Sequence, residues 1–143
     1  MNATPSKESD GPRAEPKSAD RRPLVLVVDD DVDQRDSLAC MLEAFGHRVI
    51  TAGNGGEGLT AILAEHPDLV ITDLYMPDMD GLELLSTLRA AGSTPPVIVL
   101  SGAVGDGVFD PLTSARKLGA DAVFRKPYAP TDVINTIAAL LPA

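Results

Sequence analysis

From residue 24 onward the hydrophobic positions alternate between unbroken apolar runs and stripes spaced three and four residues apart. The runs are Leu24-Val25-Leu26-Val27-Val28, Val49-Ile50-Thr51-Ala52, Leu69-Val70-Ile71-Thr72, Val97-Ile98-Val99-Leu100 and Ala122-Val123-Phe124-Arg125. Short β-branched runs without apolar–polar alternation suit strands buried on both faces of a parallel sheet. A stripe follows each run: Leu38, Leu42 and Phe45; Leu59, Ile62 and Leu63; Leu84, Leu85 and Leu88; Leu112, Ala115 and Leu118; Val133, Ile134, Ile137 and Leu141. These predict five amphipathic helices, with Gly46, Pro67 and Gly119 as stops. Gly53-Asn54-Gly55-Gly56 and Pro77-Asp78-Met79-Asp80-Gly81 read as turns. Alternating strands and helices with short connections predict an α/β fold, a parallel sheet covered on both faces by right-handed crossovers.

Residues 1–22 consist mainly of Pro, Ser, Lys, Glu, Asp, Arg and small residues, with no apolar period. Such a segment buries too little surface to offset its ordering entropy. Residues 1–23 therefore read as a disordered N-terminal tail, and 24–143 as one domain with nothing left over for an output domain. Arg21-Arg22 reads as the solvated end of that tail, with contact to an acidic partner as the alternative.

Charge follows the same division. Residues 1–23 carry five Lys/Arg against four Asp/Glu, a net +1, while 24–143 carry seven against seventeen, a net −10. A field of that sign repels nucleic acid and anionic membrane, and a dense acidic edge suits a divalent cation. Aromatics at 3% with no Trp argue against a base-stacking surface. The lone Cys40 excludes an intramolecular disulfide, and Leu38, Met41 and Leu42 around it predict a buried thiol. No run reaches the length of a membrane span and the N-terminus lacks a signal-peptide core, so a cytoplasmic location is expected.

In a parallel sheet all C-terminal strand ends lie along one edge, where open α/β sheets bind ligands. Here those ends carry Asp29-Asp30-Asp31, Asp73, Ser101 and Lys126-Pro127. Asp29-Asp30-Asp31 alone reads equally as the acidic start of a helix. A further isolated carboxylate, Asp73, at the end of another strand favours a metal site, because crowded carboxylates repel and a hard cation such as Mg²⁺ relieves the repulsion. Asp73 suits two roles, cation ligand and carboxylate nucleophile toward phosphorus. Phosphoryl transfer asks chiefly for positioning and charge neutralisation. Lys126 can supply a point charge and Ser101 a hydrogen bond. An X–Pro bond accepts the cis form at a cost of only about 0.5–1 kcal/mol, so Lys126-Pro127 invites a cis turn that aims the lysine inward, although most such bonds are trans.

The stretches Val25–Asp31, Asp68–Gly81, Val97–Gly102 and Gly119–Tyr128 together resemble the receiver domain of two-component response regulators, over 24–143. The resemblance implies a flavodoxin-like, doubly wound five-stranded sheet of order 2-1-3-4-5 with helices on both faces. It implies that Asp73 takes a phosphoryl group from a histidine kinase or a histidine phosphotransfer protein; the chain then reads as a single-domain response regulator whose output is contact with a downstream protein target or onward phosphotransfer. Asp29 and Asp30 match the family's acidic metal pair, and Asp31 a position often held by Glu. Asp73 and the backbone carbonyl of Tyr75 complete the implied Mg²⁺ ligands. Ser101 and Lys126 match the switch hydroxyl and the lysine, and the family's cis proline strengthens the case at Pro127.

Three features depart from the family pattern. Val123 stands where a Tyr or Phe is usual, and Phe124 does not replace it, because successive strand residues face opposite sides. The segment from Ser101 to Lys126 is longer and richer in glycine, with Gly102, Gly105 and Gly107 predicting a loop that orders around Ser101 on phosphorylation. Tyr75 and Ala103 occupy positions that tune phosphoryl lifetime in the family. Two rival readings stand beside this one. A phosphatase of the haloacid dehalogenase type also uses a strand-end Asp and Mg²⁺, but needs a second Asp where Tyr75 sits. A non-phosphorylated docking module would keep the fold alone. A dinucleotide site is excluded, since Gly53-Asn54-Gly55-Gly56 neither follows the first strand nor forms G-x-G-x-x-G.

Overall fold

Each apolar run forms a strand and each stripe a helix in a computed structural model of the chain, which describes residues 22–76, 79–92, 95–102 and 111–141, without the side chains of 111 and 112. The strands are β1 (Leu24–Val28), β2 (Arg48–Ala52), β3 (Leu69–Asp73), β4 (Val97–Ser101) and β5 (Ala122–Arg125). The helices are α1 (Val32–Ala44), α2 (Gly55–Glu65), α3 (Gly81–Ala90), α4 (Pro111–Lys117) and α5 (Pro130–Leu140). All strand pairs are parallel, and the order β2-β1-β3-β4-β5 is that of the flavodoxin-like doubly wound fold. The expected tail lies outside the described residues up to position 21, as do Ala103, Gly105 and Gly107 of the expected glycine loop.

Alternation along the strands sorts the core into two layers. Leu26, Val28, Val70, Val97 and Val99 pack with Ile62 of α2, Leu84, Leu85 and Leu88 of α3 and Ala115 of α4. Val25, Val27, Leu69, Ile71, Ile98 and Leu100 pack on the other face with Leu38 and Leu42 of α1 and Val133 and Ile137 of α5. Each fully buried Leu or Ile contributes about 1.5–3 kcal/mol of transfer free energy, so the two layers hold the sheet edge as a rigid platform. β1 and β4 are buried throughout, whereas the edge strands β2 and β5 are partly exposed.

Asp31, Asn54 and Asp80 cap α1, α2 and α3, their side chains accepting from the backbone N–H groups of Gln34, Glu57 and Glu83. The Gly53–Gly56 segment differs from the expected turn: Asn54 is already the cap, and Gly55 and Gly56 form the first turn of α2. Gly55 lies there because a Cβ would sit 2.3 Å from the Met79 carbonyl oxygen, in the connection between β3 and α3.

Four hydrophobic positions depart from the expected burial. Cys40 is exposed, not buried. Leu38 and Leu42 face the sheet, and a residue two positions from each points about 200° away around the helix. Phe45, 57% exposed, falls at the C-cap where α1 ends, and Leu63, 64% exposed, lies one step round from buried Ile62. Leu118 is exposed because α4 stops at Lys117.

Candidate functional site

Five strands ending on one edge bring together side chains that the chain keeps far apart. Asp29 follows β1 directly; it is buried, and its Oδ1 accepts the Asp31 backbone N–H at 2.9 Å. Asp30 beside it is exposed, and Asp73 is the last residue of β3. Each offers a carboxylate oxygen within 4.8 Å of the others. Asp31 stands apart as the α1 cap, so the two readings of the Asp29-Asp30-Asp31 run divide between its members.

Lys126 reaches this cluster from the end of β5. Its backbone N–H donates to the Ser101 carbonyl at 2.8 Å, and the Lys126–Pro127 peptide is cis. The ammonium Nζ lies 3.0 Å from Asp73 Oδ1 and 3.8 Å from Asp29 Oδ2. Ser101 ends β4 at 1% exposure, in the strand between those of Asp73 and Lys126. Tyr75, two residues past Asp73, is half-exposed.

The backbone beyond Asp73 is held tightly. Leu74 N–H donates to the Leu100 carbonyl at 2.8 Å, and Gly81 N–H to the Leu74 carbonyl at 2.7 Å. A Cβ at Gly81 would lie 2.4 Å from the Asp73 carbonyl oxygen, so only glycine lets α3 start against the strand end.

The electrostatics are those of negative charge without enough compensation. Burial pushes the Asp29 carboxyl above its ordinary value of 3.8, against the opposing hydrogen bond from Asp31, with the Asp73 charge adding to the rise. Asp73 is raised as well, again mainly by burial, although the Lys126 ammonium beside it pulls the other way. Tyr128, half-buried near these groups, has its phenol raised by burial. Three carboxylates with hard oxygen donors, no thiolate or imidazole among them, and one lysine too few to balance them suit a hard divalent cation.

Gln34 of α1 is the residue that sequence reasoning missed. Its Oε1 accepts from Lys126 Nζ at 2.6 Å, and its Nε2 donates to Asp31 Oδ2 at 3.2 Å. The Asp31-x-x-Gln34 spacing signals a helix cap, and nothing local shows that the side chain turns toward β5. Arg35 beside it donates from Nη1 to the Asp29 carbonyl at 3.3 Å. On β5, Val123 packs on the layer of α2, α3 and α4 and Phe124 on that of α1 and α5, so Phe124 does not stand in for the missing ring. Phe124 instead meets Tyr128, the ring centroids 6.3 Å apart.

A doubly wound sheet with carboxylates and a lysine gathered at its carboxyl edge defines a phosphoacceptor-type α/β module. The chain belongs to the response regulator receiver domain family, whose sequence pattern matches residues 25–138. It is 39% identical over 117 residues to the probable transcriptional regulator ycf27 of Cyanophora paradoxa, covering 82% of this chain and 47% of that protein. It is 38% identical to the response regulator MprA of Mycolicibacterium vanbaalenii, with 82% and 49% covered. The chain thus spans about half the length of the curated relatives it matches. The chemotaxis protein CheY4 of Vibrio cholerae superposes with a TM-score of 0.74 at 26% identity, over 84% of this chain and 99% of that one. Two-component phosphorelay signalling through aspartyl phosphorylation is the hallmark of the family. Receiver domains bind Mg²⁺ at an aspartate cluster, and this chain groups Asp29, Asp30 and Asp73. Among the described residues no helix is long and apolar enough to cross a membrane.

Proposed function

We propose that Asp73 accepts a phosphoryl group from a histidine kinase or histidine phosphotransfer protein. The observation that carries this reading is the 3.0 Å approach of Lys126 Nζ to Asp73 Oδ1, beside three carboxylates whose oxygens lie within 4.8 Å. An Asp73 oxygen attacks phosphorus, the P–N bond to the donor imidazole breaks, and its electron pair returns to the ring nitrogen. Lys126 holds positive charge against the phosphoryl oxygens and Ser101 donates its hydroxyl to one of them. Asp29, Asp30, Asp73 and the Tyr75 carbonyl would hold Mg²⁺, which supplies charge neutralisation for the transferring group.

Residues 24–143 act as the receiver unit, with 1–23 as a tail, in the cytoplasm. Output passes by protein contact or onward phosphotransfer, in keeping with a net charge of −10 over 24–143 that repels nucleic acid and anionic membrane. The protein is a phosphoacceptor that assists its own phosphorylation and dephosphorylation, not an enzyme with a separate substrate. Tyr75 stands where a dehalogenase-type phosphatase needs its second Asp, so p-nitrophenyl phosphate should not be turned over. Labelling with acetyl phosphate and Mg²⁺ tests the acceptor assignment. Wild type should be labelled and Asp73→Asn, which keeps shape and loses the nucleophilic oxygen, should not. Equal label on that variant would place the acceptor elsewhere.

A further inference from the structure

The geometry points to Gln34 as the positioning residue for Lys126, a latch on α1 that holds the lysine ammonium toward Asp73. An ammonium has three N–H donors and turns freely unless acceptors fix it. Here two acceptors lie within hydrogen-bond distance, Asp73 Oδ1 at 3.0 Å and Gln34 Oε1 at 2.6 Å, whereas Asp29 Oδ2 at 3.8 Å is beyond it. Fixing two of the three hydrogens fixes the direction of the third. That third hydrogen is then available for an oxygen delivered to Asp73.

The latch is itself held. Asp31 uses its Oδ1 to cap α1 through the Gln34 N–H at 3.1 Å, and its Oδ2 to take the Gln34 side-chain amide at 3.2 Å. With the amide nitrogen committed to Asp31, the amide oxygen is the end that faces Lys126. A neutral acceptor is suited to this place. A carboxylate at position 34 would add a fourth negative charge beside Asp29, Asp30 and Asp73 and compete with Asp73 for the ammonium. An apolar side chain there would leave the lysine tip, its side chain 21% exposed, with Asp73 as its one acceptor at hydrogen-bond distance and Asp29 at 3.8 Å.

This assignment rests on the proposed role of Lys126 in holding the phosphoryl group, and the experiment separates the two. Gln34→Met keeps the length of the side chain and removes the acceptor; Gln34→Glu restores an acceptor; Gln34→Ala serves as a second removal variant. In the metal-free full chain, ¹³C relaxation at Lys126 Cε reads the order of the lysine tip, with exposed Lys117 as the internal reference. Gln34→Met and Gln34→Ala should lower Lys126 order from the wild-type value toward that of Lys117, the Asp73 contact remaining, and Gln34→Glu should retain it. Beryllofluoride with Mg²⁺, a phosphoryl mimic, should bind Gln34→Met about fivefold more weakly than wild type, the loss expected for one charge-assisted hydrogen bond at a partly exposed site. Mg²⁺ affinity alone should change little in Gln34→Met and Gln34→Ala, and the unfolding midpoint should fall only by the small loss of two exposed side-chain hydrogen bonds. Undiminished Lys126 order in both removal variants overturns the latch, as does equal beryllofluoride affinity in a wild type that binds the mimic. A wild type that does not bind the mimic overturns the proposed function instead, and the relaxation measurement still decides the latch.

Discussion

Lys126 Nζ lies 3.0 Å from Asp73 Oδ1 although β4 runs between the strands that carry them. Neighbouring strands are about 4.8 Å apart, so the two side chains together bridge roughly two strand spacings. The span is possible because the Lys126 backbone is tied to the Ser101 carbonyl at the tip of β4, which fixes where the long stem begins. One positive charge is thereby shared among carboxylates from β1 and β3 that it cannot fully balance.

Lys126→Met removes that charge. The cluster then attracts cations more strongly, so Mg²⁺ affinity should rise, by about fivefold if the pair is worth the upper range of a partly exposed ion pair. Labelling by acetyl phosphate should fall at the same time. Isothermal titration and a labelling time course measure the two, and a variant that loses Mg²⁺ affinity would contradict the charge assignment.

Asp29→Asn keeps the Oδ1 that accepts from Asp31 N–H and removes a buried charge. The metal-free protein should gain about 1 kcal/mol, a rise of roughly 4 °C in unfolding midpoint for a domain of this size. The gain over wild type should disappear in saturating Mg²⁺. Thermal scans with EDTA and with Mg²⁺ give both numbers.

Stability should depend on pH with a defined sign. Burial holds Asp29 and Asp73 above 3.8 in the folded protein, so between that value and their folded pKa values the native state binds more protons than the unfolded chain. Stability from their protonated forms is full below 3.8 and lost as pH rises through the folded values. The double variant Asp29→Asn/Asp73→Asn should therefore exceed wild type most at neutral pH, with the gap closing as pH falls toward about 4. Urea denaturation across pH without metal checks this; a gap that widens in acid would reverse the sign.

Gly81→Ala places a methyl 2.4 Å from the Asp73 carbonyl oxygen. Relief requires the start of α3 to move off the end of β3, at a cost of about 2 kcal/mol. Because the clash is with the Asp73 carbonyl itself, the strain is felt at the proposed acceptor, and labelling should slow along with the loss of stability. Gly92→Ala, where a Cβ meets nothing within 4 Å but φ is +79°, separates backbone strain from crowding at the site.

Exposed Cys40 should react with a disulfide reagent such as DTNB in the native protein, without denaturant, in one phase and at one equivalent. Reaction only after unfolding would show the thiol to be buried.

Much of this was legible in the sequence because it depends on local pattern. Non-alternating β-branched runs mark buried parallel strands, and parallel strands end on one edge whatever their order, so Asp29, Asp30, Asp73, Ser101 and Lys126 could be assigned to one sheet edge from pattern alone. The order 2-1-3-4-5 came from family resemblance, since crossovers of similar length permit several orders. Phe45 and Leu63 show where pattern runs out: periodicity finds the stripe of a helix but not where the helix ends, which exposes Phe45 at the C-cap, nor the width of the stripe, which leaves Leu63 out. Cys40 lies on the far side from Leu38 and Leu42, as helical spacing itself implies. Tertiary structure alone decided the division of the Asp29-Asp30-Asp31 run into cluster and cap, and the hydrogen bond from Lys126 to Gln34. Both depend on ångström-scale distances between side chains on different elements, fixed by the packing of two core layers and recorded in no local stretch of residues.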